Sequence, residues 1–168
     1  MFTQYDFMMC WANSPAWDGD GDQWIDKGSH ASKSSCYGLM VYQTTTLYFM
    51  AGDGGARHQL TTTDLPPTGE WYHIAGVYDG NTFTVYLNTE VMAEFDDAFG
   101  FVTDNQLPLV IGRGVERPQY SFTGAIDEVL VFNRVLELDE IKDAMEGALL
   151  SVDRVGKLSS TWGDIKAD

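Results

Sequence analysis

The chain has 168 residues, which is room for one domain with its own hydrophobic core. Its formal net charge of −15 repels phosphate backbones and anionic headgroups alike, which argues against nucleic acid or a lipid surface as partner. Two cysteines, Cys10 and Cys36, are too few for a disulfide scaffold and lack zinc spacing, and the longest apolar runs, such as 129–132, are far too short to span a bilayer.

Short strand-like runs recur every eight to twelve residues, the rhythm of sandwiches and barrels. Residues 5–12 (YDFMMCWA) read as a buried strand. Residues 14–22 (SPAWDGDGD) read as an acidic loop, 23–27 as a short strand and 28–35 as a polar loop. Runs 36–43 and 46–51 form a hairpin candidate joined at Thr44 and Thr45. GDGG at 52–55 turns the chain into a strand at 57–62. After Pro66 and Pro67, the strands 70–78 and 82–87 flank Asp79-Gly80-Asn81, a strong hairpin signal. Within 82–87, Phe83, Val85 and Leu87 share one face and Thr82, Thr84 and Tyr86 the other, the period of a half-buried strand.

Asn88-Thr89 leads to a strand at 90–95. A loop over 96–108, a short strand at 109–112 and a long strand at 120–133, interrupted at Gly124, complete the β elements. One helix is expected, with Leu138, Ile141, Met145 and Leu149 on one face, acids in its first turn and Gly147 to end it. The organisation is therefore one domain over residues 1–150 and a polar tail over 151–168. Both cysteines lie in strand-like runs, either as buried thiols or as a structural bridge.

The runs GEWYHIAGVYDGNTFTVYLN (69–88) and FTGAIDEVLVFNRVLELDEI (122–141) resemble the central hairpin and closing strand of laminin-G-like domains, the concanavalin-A-like jelly-roll family. LPLVIGRG sits between them in the family's order, and DFMMCWA with IDKG resembles the early strands. The resemblance implies an all-β, two-sheet antiparallel jelly-roll sandwich with one short C-terminal helix. It also implies a non-catalytic binding module outside the cell or at its surface, taking a glycan or an extracellular protein. Family members usually begin with one more strand, so an open sheet edge available for a homodimer is a further expectation. Glu137 stands where the family places a better helix cap.

The resemblance implies a Ca²⁺ near the closing strand with Asp127 as one ligand. Asp18, Asp20 and Asp22 alternate with glycines and form a second metal candidate, although Gln23 and Ser29 break the EF-hand pattern and favour a solvated acidic loop. A sugar needs aromatic rings to stack on and polar groups to fix its hydroxyls. Trp17, Arg57, His58 and Tyr120 are the chosen ligand contacts, with Trp24, Phe99 and Phe101 as further loop aromatics. Trp11 and Trp71 lie in strand runs and are expected in the core. No catalytic pair is expected: Glu94-Phe95-Asp96 begins a glucanase-like spacing, but Phe99 occupies the second glutamate position.

Overall fold

A computed structural model describes residues 6–17, 19–28, 37–100, 102 and 106–147. Ten strands form two five-stranded antiparallel sheets. Sheet I holds β1 (Asp6–Asn13), β6 (Tyr72–Tyr78), β7 (Thr82–Leu87), β8 (Glu90–Asp96) and β10 (Ala125–Phe132), in the order β10-β1-β6-β7-β8. Sheet II holds β2 (Gly21–Lys27), β3 (Tyr37–Tyr42), β4 (Thr46–Gly52), β5 (Arg57–Thr62) and β9 (Val110–Ile111), in the order β5-β4-β3-β2-β9. The chain is a jelly-roll sandwich, as the strand pattern predicts.

The core lies between the sheets. Met8, Cys10 and Ala12 of β1, Ile74 of β6, and Phe83 and Val85 of β7 face Leu39 and Val41 of β3 and Leu47, Phe49 and Ala51 of β4. All are sealed from solvent. Residues on the other parity of β1, Phe7 and Met9, point outward, yet they are buried too. The helix α1 (Leu138–Met145) covers them with Ile141 and Ala144, joined by Leu136 just before it. The Glu140 carboxylate accepts the Glu137 N–H and a two-pronged contact from Arg134, so the helix start is tied down despite the weak cap. Gly147, at φ 73°, ends it as expected, its N–H donating to Ala144 O. Leu149 and the tail 151–168 lie outside the described residues, as does Cys36; Cys10 is a buried free thiol.

Several sequence readings change. Residues 120–124 are not strand: Ser121 makes only an isolated bridge to Arg113, and β10 starts at Ala125. Gly124 explains the break, because at φ 141° a Cβ there would clash with Asn13 O. Trp24 is not in a loop but fully buried on β2, which starts two residues earlier than its apolar run. Trp71, one residue before β6, is 48% exposed rather than in the core.

The β3–β4 turn is centred on Gln43 and Thr44, one residue earlier than expected, with φ of 50° and 60°. That geometry matches the right-handed strand twist but suits Asn-Gly, and a β-branched threonine there is strained. Thr44→Gly should therefore raise stability by about 0.5–1 kcal/mol, the relieved left-handed strain exceeding glycine's entropy cost. A thermal melt that shows no rise, or a fall, would contradict this account of the turn.

Candidate functional site

Strand alternation in sheet II sends Leu39, Val41, Leu47 and Phe49 into the core, so Met40, Tyr42, Tyr48 and Met50 must emerge on the opposite, outer face. Met40 pairs with Tyr48, and Tyr42 with Thr46, across the β3–β4 ladder. An outer face normally carries polar side chains. Here Met40 and Met50 are 2% and 1% exposed, because Tyr120 lies across them.

Tyr120 arrives on the loop that runs from β9 to β10. Asp26 holds this loop to β2 by accepting the Val115 N–H at 2.7 Å. A turn closed by Tyr120 N–H to Arg117 O, at 2.8 Å, then presents Arg117 and Tyr120 together. Arg117 Nη1 donates to Tyr120 Oη at 2.6 Å, and its guanidinium carbon lies 5.2 Å from the ring centre. Gly21 makes room below. A Cβ there would sit 2.8 Å from Met40 Cε and 2.9 Å from Tyr120 Cγ.

The result is a pocket of about 250 Å³ lined by Met40, Tyr42, Tyr48, Met50, Arg57, Arg117 and Tyr120. The Tyr42 ring crosses Tyr48 at 90°, with centres 5.9 Å apart, and meets Tyr120 at 5.8 Å. The hydrogen bond to Tyr120 holds the Tyr42 hydroxyl above its ordinary pKa, so the wall stays neutral and protonated. Beneath the loop, burial pushes the Asp26 carboxyl up to about 6, partly offset by the Val115 N–H. The pocket thus combines a thioether floor, two crossed aromatic walls, phenol hydroxyls and two guanidinium groups.

The residues singled out from sequence divide. Arg57 and Tyr120 line this pocket. His58, the next residue on β5, points the other way. Its Nδ1 lies 2.8 Å from Asp97 Oδ2 and its ring stacks on Phe99 at 4.0 Å, which pins β5 to the strand-β8 side of the sandwich. Trp17 is packed against the core, edge-on to Trp24 at 5.6 Å, with its Nε1 donating to Pro66 O. Phe101, like Asp18, lies outside the described residues. Met40, Tyr42, Tyr48, Met50 and Arg117 were not singled out from sequence. The available signal was two adjacent strands that are apolar or aromatic on both faces.

The described aspartates sit in different settings. Asp20 is exposed in the loop before β2, whereas Asp22 is wholly buried on that strand. Asp127 pairs with Trp11 on sheet I, and its Oδ1 accepts the Glu128 N–H at 2.8 Å. It borders a shallow depression with Trp11, Trp71, Glu128, Met145 and Glu146. Among the described residues, no group of three or more His, Cys, Asp or Glu could hold a metal ion.

Glu94 and Asp96 lie exposed on the edge strand β8, where Asp96 accepts the Thr82 hydroxyl at 2.9 Å. No described helix is long and apolar enough to cross a membrane.

The comparisons agree with this architecture. The model of the laminin-G-like family of the concanavalin A-like lectin/glucanase superfamily matches residues 8–142, and the chain belongs to that family. A candidate carbohydrate-binding protein from Bacteroides ovatus ATCC 8483 superposes with a TM-score of 0.70 at 21% identity. The match covers 94% of this chain but 44% of that protein. The CBM40 of the Ruminococcus gnavus IT-sialidase, bound to α2,3-sialyllactose, superposes with a TM-score of 0.57 at 13% identity, covering 83% of this chain and 81% of that one. A pentraxin from Limulus polyphemus gives 0.55 at 14% identity, covering 83% and 68%. No curated protein matches the chain in sequence.

Proposed function

We propose that the chain is a non-catalytic carbohydrate-binding module whose ligand enters the pocket on the outer face of sheet II. The supporting observation is the pocket's lining: Tyr42 and Tyr48 offer crossed π faces to sugar C–H groups, while Tyr120, Arg57 and Arg117 offer hydroxyl and guanidinium groups for orientation. Carbohydrate ligands in structurally similar proteins, such as the sialyllactose-bound CBM40, favour the same reading. Glycans of this kind are met outside the cell or at its surface, and that is where the reading places the chain.

No contact in this reading runs through calcium. A glycan array probed with the purified chain in millimolar Ca²⁺ and in EDTA tests both points. Equal binding to the same sugars in both buffers is the expected outcome. Binding lost in EDTA would restore a calcium-dependent site and direct attention to Asp20, Asp22 and Asp127. Silence in both buffers would sink the carbohydrate reading.

A further inference from the structure

We propose that the ligand of the outer-face pocket is an acidic glycan, whose entering sugar carries a carboxylate or a sulfate group. The proposal rests on the carbohydrate-binding reading and specifies its ligand class.

The argument begins with a charge anomaly. The chain carries 10 Lys and Arg against 25 Asp and Glu. A random sample of its charged groups would be mostly carboxylates. Among the described residues, the pocket lining contains two arginines and not one carboxylate. Of the other described cations, Arg134 holds Glu140, Lys142 holds Asp139 and Lys27 reaches Leu107 O, while Arg113 is exposed outside the pocket lining. Among the described residues, neither Arg57 nor Arg117 forms an ion pair with an acid. Among the described acids, exposed Asp20 acts on Tyr42 and exposed Glu116 adjoins Arg117 in sequence.

The arrangement of the two arginines matters as much as their sign. Arg117 is oriented before any ligand arrives, by Tyr120 Oη and by the Tyr120 ring beneath it. A pre-set guanidinium loses little entropy on binding, and its planar fork matches a carboxylate or sulfate with two parallel hydrogen bonds. Arg57, exposed on the edge strand β5, lines the same pocket as Tyr48 and Met50. A neutral sugar would strip water from both guanidiniums and return no counter-charge. At about 250 Å³ the pocket is small for a ligand cleft, so it suits one charged sugar rather than a long neutral chain.

The test uses the intact chain and matched sugar pairs in titration calorimetry: lactose against sialyllactose, lactose against sulfated lactose, and galactobiose against digalacturonate. The carboxylate and sulfate arms separate the two sources of charge. At least one acidic member should bind ten-fold or more tightly than its neutral partner, with affinity falling as NaCl rises from 50 to 500 mM. Arg57→Gln and Arg117→Gln should each weaken that binding about ten-fold, about 1.4 kcal/mol, while circular dichroism shows the native fold. Neutral sugars bound as well as acidic ones would overturn the proposal and leave the carbohydrate reading standing. Acidic binding untouched by either variant would also overturn it, by placing the ligand elsewhere. No binding to any sugar, charged or neutral, would overturn both.

Discussion

Alanine at Trp24 should remove about 3–5 kcal/mol of stability, a large share of what a domain of this size possesses. The indole is fully buried and meets Trp17, Tyr72 and Phe122 with ring centres 5.6, 6.3 and 6.2 Å away. Those three rings come from the loop before β2, from β6 and from the loop before β10, so truncation opens a cavity that no single neighbour can fill. Urea unfolding followed by intrinsic fluorescence measures the loss. Trp71→Ala is the control: nearly half exposed, it should change stability by about 0.5 kcal/mol or less. Similar losses in the two variants would contradict the reversal of roles that the structure assigns to these tryptophans.

The second large effect is a pH-dependent gain from Asp26→Asn. Burial raises the Asp26 carboxyl to about 6 in the fold, whereas an unfolded aspartate ionises near 4. A raised carboxyl contributes stability that is fully present below about pH 4 and is lost as pH climbs through 6. Two units correspond to about 3 kcal/mol. Asparagine keeps an acceptor for the Val115 N–H and removes the titration. The variant should therefore gain on the natural chain as pH rises, by about 2–3 kcal/mol between pH 4 and 7.

His73 works in the opposite sense. Burial lowers it to about 4, so its contribution is present above about 6.5 and lost as pH falls through 4. The two slopes oppose each other between about pH 4 and 6.5, and the natural chain should show a nearly flat profile there. Asp26→Asn leaves the His73 slope alone, so the variant's stability should climb steeply across the same window. Parallel profiles for the two proteins would show that Asp26 does not titrate as described. Because Asp26 anchors the loop bearing Arg117 and Tyr120, the variant also reports whether its charge matters to the site.

The strands were legible because their chemistry is local. Period-two patterning marked β7, and Asp79 fixed the turn before it, its carboxylate accepting the Asn81 and Thr82 N–H groups. The helix announced itself through its three- and four-residue spacing. The site was only half legible. Arg57 and Tyr120 were found as polar or aromatic residues near loops. Met40, Tyr42, Tyr48 and Met50 were hidden, because a strand apolar on both faces does not reveal which face is the core. Arg117 depends on a contact between Asp26 and Val115, 89 residues apart, which no short window displays. Trp17 and Trp24 misled for the opposite reason: neighbouring Asp and Gly made them look like exposed loop residues, while β2 carried Trp24 into the core and the loop before it laid Trp17 against that core.

Cys10 lies at the centre of β1, facing the opposite sheet, and burial pushes its thiol up to about 12. A thiol so protonated and so enclosed is chemically silent, since only the thiolate attacks. It becomes reactive in molecules whose two sheets have parted and in no others. The chain thus carries, inside its core, a one-atom clock of opening: where alkylation outruns reclosing, the pace at which Cys10 yields to the reagent is the pace at which the sandwich comes apart.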